Sequence, residues 1–321
     1  MKKLILVISL IGQFAFAAGL NQGLDKNSVL IQAHESFLQG DYHLTLMNIK
    51  IGLEQFDRDL IMKKNLLALY GNLLHTGKLK DIDLGWYLPK EMTRLSLNIE
   101  REMDNKEIKY SMILGGNTLE PNMIKTFKVV RFPETVVMDK DKNIGRLRER
   151  PDDDGKPAFY FRTVKSAQPV SAGLYNIEIS LTNGASLKAW IIIDELMNSS
   201  ANPEFINVSE KPIFKTTQPK FAWKDFKTAE FDSSENRGVY FEISRNLSPT
   251  GWETLWNVWE KQPKTTKVQV GVTPHHTVNK LPLENGDYMA MIQYSEHTRL
   301  GDMRMTRKSS QILDFTIQLK K

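Results

Sequence analysis

The chain has 321 residues, 41% of them hydrophobic, which is enough for packed cores, too many for one ordinary domain and suited to two or three. Lys and Arg number 43 against 38 Asp and Glu, a formal charge of +5, and they are interspersed rather than gathered into a basic run that tracks phosphates, which argues against nucleic acid as partner. There is no cysteine, which excludes disulfides, thiolate metal sites, iron–sulfur clusters, a cysteine nucleophile and an acylated N-terminal cysteine.

Residues 1–17 read as a secretory signal peptide. Lys2 and Lys3 supply the positive start, Leu4 to Ile11 the apolar run, and Ala15-Phe16-Ala17 the small-x-small cleavage site. The apolar run is short for a bilayer span and Gln13 interrupts it. Cleavage is expected after Ala17, with the product periplasmic or secreted. Loss of Lys2 and Lys3 leaves 41 basic against 38 acidic residues, a charge of +3.

Residues 18–90 are predicted to be helical. Val29, Leu30, Ala33, Phe37 and Leu38 recur at spacings of three and four, as do Leu44, Met47 and Ile51, and then Leu66, Leu67, Tyr70, Leu73 and Leu74. Gln39-Gly40-Asp41-Tyr42 reads as a turn between helices. With the small residues Ala33, Thr45 and Gly52 at positions of close approach, this stretch resembles a tetratricopeptide hairpin over about one and a half repeats. Fewer than three repeats rarely make a peptide groove, so the expectation is a helical cap packed on the next domain.

From Thr93 the period changes to two. Leu95, Leu97 and Ile99 alternate with polar residues, and strands are predicted at Ile108–Met112, Ile124–Val130, Thr135–Met138, Ala158–Arg162, Leu174–Leu181 and Leu187–Ile193. These fit a β-sandwich over 91–197. A polar linker at 198–204 follows, and then a second set at Pro219–Trp223, Tyr240–Ser244, Lys267–Val270, Tyr288–Tyr294 and Leu313–Ile317, over 205–321. One pattern occurs in both halves: Pro169, Gly173 and Tyr175 return as Pro282, Gly286 and Tyr288, each 113 residues later and each leading into an alternating strand. The fold class is therefore mainly β: two tandem Ig-like or fibronectin III-like sandwiches preceded by a small helical hairpin region.

The second half carries further features: Pro219-x-Phe221-x-Trp223 early, Tyr240-x-Glu242-Ile243 in the middle, Leu283-x-Asn285-Gly286-x-Tyr288 entering a late strand, and Phe315-Thr316-Ile317 at the end. In these it resembles the fibronectin type III-like domains of exported bacterial proteins. The resemblance implies adhesion, spacing or scaffolding rather than chemistry. It departs from that family in a long segment, Arg245 to Lys264, between two strands.

Motifs for chemistry fail on their spacing. His34-Glu35 lacks the second histidine of a zinc-protease helix, since Leu38 stands there. Asp139 to Asn143 starts like a calcium loop, but Ile144 and Arg150 occupy the glycine and glutamate positions, so a polar turn is expected. Asp152-Asp153-Asp154 reads as a solvated loop compensated by nearby basic residues, and His275-His276 points its two rings to opposite faces. There is no Gly-x-Ser-x-Gly elbow, and Gly115-Gly116-Asn117-Thr118 lacks the lysine of a phosphate loop. No catalytic residue, metal site or cofactor is assigned.

Trp252, Trp256 and Trp259 are the most unusual local feature. Their spacing of i, i+4 and i+7 would place them on one face of a helix within the extra segment. They would either bury that face against the sandwich, with Trp256 in the core, or present an aromatic surface to a glycan or protein. The expected function is an exported, non-enzymatic binding or scaffolding protein whose partner is a protein or glycan of the cell envelope. The alternatives are a carbohydrate- or peptidoglycan-binding protein using those tryptophans, and an enzyme with a site between domains.

Overall fold

The computed structural model describes residues 25–104, 107–152, 154–195, 203–224, 237–246, 252–261, 266–274, 277–278 and 281–319. The expected signal peptide at 1–17, positions 198–202 of the expected linker, and His275-His276 lie outside the described residues.

Three helices come first: α1 (Lys26–Leu38), α2 (Tyr42–Gln55) and α3 (Leu60–His75). Asp41 and Asp59 begin α2 and α3, their carboxylates accepting from the N–H groups of Leu44 and of Ile61 and Met62, donors that helix starts leave without partners. Gly40 turns the chain between α1 and α2 at φ +76. Gly52 is a point of close approach, where a Cβ would stand 2.5 Å from Leu66 Cδ1. The helices do not form a core of their own: Val29, Ile49, Leu66 and Tyr70 join one apolar cluster with Leu95, Leu97 and Phe127 of the first sandwich. The region is a cap packed on that sandwich. Among the described residues no helix is long and apolar enough to cross a membrane.

The first sandwich packs a sheet of β3 (Ile124–Arg131), β4 (Thr135–Asp139), β7 (Gly173–Leu181) and β8 (Ser186–Ile193) against β1 (Met92–Asp104), β2 (Glu107–Thr118), β5 (Arg146–Pro151) and β6 (Pro157–Arg162). Phe127 of one layer stacks on Phe161 of the other at 4.6 Å. The second sandwich packs a small sheet of β9 (Phe205–Ile206), β11 (Lys220–Trp223) and β14 (Lys267–Gln269) against β12 (Arg237–Asn246), β13 (Trp252–Lys261), β15 (Thr277–Val278), β16 (Gly286–Leu300) and β17 (Met303–Ile317). The short β10 (Ile213–Phe214) pairs with β17. Phe221, Trp223, Phe241 and Phe315 fill its core with aromatic contacts. The mainly β fold with two sandwiches behind a helical region is therefore present.

Three features differ from the expectation. The segment 245–264 contains a strand of the main sheet, β13, rather than a helix. The basic stretch 146–150, for which no strand is predicted, forms most of β5. Most consequentially, the sandwiches share a sheet: β17 pairs in parallel with β1, from Ser96 with Arg304 to Met103 with Gln311, so one sheet of ten strands runs through both.

The doubled tyrosine pattern has a single physical meaning. Gly173 and Gly286, at φ +148 and +152, open β7 and β16. The hydroxyl of Tyr175 donates to the carbonyl of Ser171, and that of Tyr288 to the carbonyl of Glu284 at 2.9 Å, each four residues upstream. Each ring is buried and each hydroxyl satisfied, which is the tyrosine corner of Ig-like sandwiches. Burial pushes the Tyr175 phenol well above its ordinary pKa, so this donor keeps its proton across any working pH.

The hairpin of β16 and β17 belongs to both cores. Tyr288, Ile292 and Phe315 at its base lie in the second core, while Leu300, Met303 and Met305 at its tip lie in the first. Between these stretches Arg307 and Glu296 form an ion pair whose side chains are 0% and 1% exposed. The Tyr70 hydroxyl reaches the Met305 sulfur at 4.0 Å, tying the cap to the same tip. Arg307→Ala removes the cation paired with buried Glu296 and is expected to cost about 3–5 kcal/mol in urea denaturation. Lys165→Ala, which breaks an exposed pair with Glu102, is expected to stay within about 1 kcal/mol of the parent.

Candidate binding groove

The sharing of a sheet creates a surface that neither sandwich has alone. Strand alternation sends Leu95, Leu97 and Ile99 inward, and Arg94, Ser96 and Asn98 to the opposite face. Parallel pairing continues that polar face onto β17 through Arg304, Thr306 and Lys308, and β16 adds Gln293, Ser295 and His297. These residues line a groove of about 560 Å³ that also takes in Tyr160, Tyr240 and Trp259. His297 Nδ1 and Thr306 Oγ1 lie 3.0 Å apart.

Two aromatic rings are set into this face by glycines. Trp259 crosses Gly238, whose absent Cβ would stand 2.6 Å from indole Cη2. Only glycine lets the indole lie this low on the sheet. Tyr160 pairs with Gly115, and its Cδ1 stands 3.1 Å from where that residue's Cβ would be. Arg150 braces the Tyr160 ring, its guanidinium 5.5 Å from the centroid. Beside Trp259, the Tyr240 hydroxyl donates to Glu242 Oε2 at 2.6 Å.

The charges are unevenly distributed. Arg162 pairs with Glu100 at 2.6 Å, Lys165 with Glu102 at 2.6 Å, and Lys308 lies 3.7 Å from Glu100. Toward the hairpin tip, Arg304 stands directly opposite Arg299, with Arg94 nearby on β1. Burial, then the charges of Arg94 and Arg299, hold the Arg304 guanidinium below its ordinary pKa. Asp152 lies beside Asn117, the residue of β2 paired with Arg94: its carboxylate accepts from the N–H of Lys156 at 2.8 Å, from that of Asp154 at 3.0 Å and from Asn117 Nδ2 at 2.7 Å. Those bonds, led by the Lys156 N–H, lower its pKa.

The three tryptophans are separated by the strand. Ile243 pairs with Trp256 and Ser244 with Thr254, which leaves Leu255 as the extra residue of a β-bulge. Trp256 is 0% exposed and packs edge-on to Phe241 in the second core. Trp259, three residues on, faces the opposite side and lines the groove. Trp252 pairs with Asn246 in register, and its side chain lies outside the described residues. The stripe is thus no continuous platform: Trp256 is core and Trp259 is groove. At the turn read as failing the calcium pattern, Asp139 Oδ1 accepts from the N–H groups of Asp141 and Lys142 at 3.0 and 3.2 Å, so this carboxylate holds its own turn. Arg94, Tyr160 and Arg304 were not singled out by the sequence. The one usable signal was the pair Gly115-Gly116, whose failed resemblance to a phosphate loop concealed a strand cleared for a ring.

The profile of a family described as "Protein of unknown function (DUF2861)" matches residues 24–211. No curated protein sequence matches the chain. Among solved structures, the crystal structure of the chicken CNTN1 FN1–FN3 domains is similar at 13% identity with a TM-score of 0.19, covering 68% of this chain and 66% of that one, just under two thirds of its length.

Trp256→Ala is expected to cost about 3–5 kcal/mol, as large-to-small aromatic truncations in cores do. Trp259→Ala is expected to cost about 1 kcal/mol or less and to remove part of the iodide-quenchable fluorescence, a part that Trp256→Phe leaves intact. Thermal melts and quenching titrations on the two variants check both.

Proposed function

The chain belongs to the family described as DUF2861, and we propose that it is an exported binding protein of the cell envelope that holds a glycan in the groove of its shared sheet. The observation that carries this reading is the indole of Trp259 laid across Gly238. A ring seated low on the sheet beside amide groups has the chemistry for a sugar: an indole meets the C–H side of a pyranose, and Asn98 and Gln293, both half-buried in the groove, offer donors and acceptors to its hydroxyls. Both rings are held from beneath by the sheet, so little side-chain entropy is lost on binding. Export rests on the expected signal at 1–17 and on the absence of cysteine from the chain, which makes no demand on the redox state of its compartment.

On a glycan array the full mature chain is expected to retain a set of oligosaccharides, and Trp259→Ala to weaken that binding at least tenfold without lowering the melting temperature by more than a few degrees. Mass spectrometry of the native protein should place Ala18 at its N-terminus. An empty array, or binding indifferent to Trp259, would overturn the glycan reading, and an intact Met1 in a cytoplasmic fraction would overturn export.

A further inference from the structure

The glycine-seated tyrosine and the arginine cluster fall on one line. Tyr160 pairs with Gly115, Gly115 with Ser96, Ser96 with Arg304 and Arg304 with Arg299, so a single register row crosses β6, β2, β1, β17 and β16. Gly115 has no side chain and Ser96 a short one, which leaves a depression between ring and guanidiniums. At about 4.8 Å between strands, Tyr160 and Arg304 are roughly 14 Å apart along this row.

Like charges directly opposite each other across an antiparallel pair are destabilising. Arg304 and Arg299 are such a pair, and Arg94 adds a third positive charge. Among the described residues no carboxylate forms an ion pair with any of the three, Asp302 in the adjoining turn included. The contrast lies on the same face: Arg162 and Lys165 each have a glutamate at 2.6 Å. Asp152 and Asp154 line the same groove on the Arg94 side, where Asp152 is held by Asn117 and by the N–H groups of its own loop, and neither forms an ion pair with the three arginines. Arg304 is half-buried, so its charge is poorly screened by solvent. Three guanidiniums with no ion-pair partner among the described residues, Arg94 and Arg304 lining the groove and Arg299 opposite Arg304, have the chemistry to grip a planar oxyanion with paired hydrogen bonds.

We propose that the groove takes an acidic oligosaccharide, with a sugar carboxylate held by Arg304, Arg299 and Arg94 while another unit of the same chain stacks on Trp259. The inference rests on the glycan reading above and adds its charge and its length. By register Trp259 lies level with Ser310, three strands and six residues from Arg304, a distance on the order of 25 Å by strand spacing and rise. Only an oligomer spans it. A single sugar could occupy one end but not both.

The test is an array carrying uronic-acid, sialic-acid and neutral oligosaccharides of matched length, with hits titrated against the full chain by tryptophan fluorescence. Acidic chains are expected to bind at least tenfold tighter than neutral ones, and more weakly as salt rises. Arg304→Gln and Arg94→Gln are each expected to erase that preference while neutral chains keep their residual affinity. Neither should lower the melting temperature, because each removes repulsion; a drop in melting temperature with unchanged selectivity would assign these arginines a structural role and overturn the proposal. Neutral chains bound as tightly as acidic ones, or an oligonucleotide bound more tightly than any uronate, would overturn it while leaving the sheet's face a binding surface. Absence of binding by every glycan would remove the glycan reading together with this one. Arg94 is exposed, so its variant keeps the test open if Arg304→Gln fails to fold.

Discussion

The parallel pairing of β1 with β17 is the constraint on which the rest of this molecule depends. Two Ig-like sandwiches in tandem ordinarily meet through a linker and a small interface, and their relative motion is the default expectation. Here the backbone N–H and C=O groups from Ser96 to Met103 are paired with the other sandwich's hairpin, so separating the halves would expose two strand edges to water at once. The hairpin that supplies β17 has apolar residues at both ends, and each end belongs to a different core. The cap joins through Tyr70 at the same tip, so helices, first sandwich and second sandwich converge on one element.

The polar centre of that hairpin is as instructive as its apolar ends. Arg307 and Glu296 lie where the two cores would otherwise merge. A buried ion pair is costly to desolvate and contributes little net stability against a well-packed apolar alternative, yet it is costly to break. It also discriminates against register slips: moving β17 by one residue would turn Arg307 to the outer face and bring Lys308 inward. The same register places Arg304 beside Ser96 and opposite Arg299 on the outer face. The inner ion pair and the outer groove are thus two consequences of one alignment.

Glycine is used on this sheet for what it lacks. Gly238 and Gly115 weaken their strands relative to larger residues, and each is where a ring from the neighbouring strand lies down on the sheet. Each glycine lets a neighbouring aromatic ring seat closer to the sheet than a Cβ would allow. Loops are the usual place for binding residues because strands are committed to the core. This sheet frees one face by letting both sandwiches bury the other.

The amino-acid sequence alone determined the elements and their class. Helical spacing over Val29 to Leu74, the change to period two near Thr93, and the recurrence of Pro, Gly and Tyr 113 residues apart are local patterns, and each survives in the structure because local sterics and amphipathic faces produce it. Local pattern failed where local cues were ambiguous. The bulge at Leu255 breaks the period-two signal of β13 and leaves three tryptophans at a spacing that mimics a helix. As a strand at the edge of the sheet, paired among the described residues to β6 alone, β5 needs few apolar residues, so Arg146 to Pro151 carries almost no hydrophobic signal. The groove was beyond any such reading. Arg94 and Arg304 are 210 positions apart in the chain, and nothing in either neighbourhood encodes the other. They meet only because β17 leaves its own sandwich to pair with β1, an arrangement selected by the burial of Met303, Met305 and Arg307 in three dimensions and visible in no window of sequence.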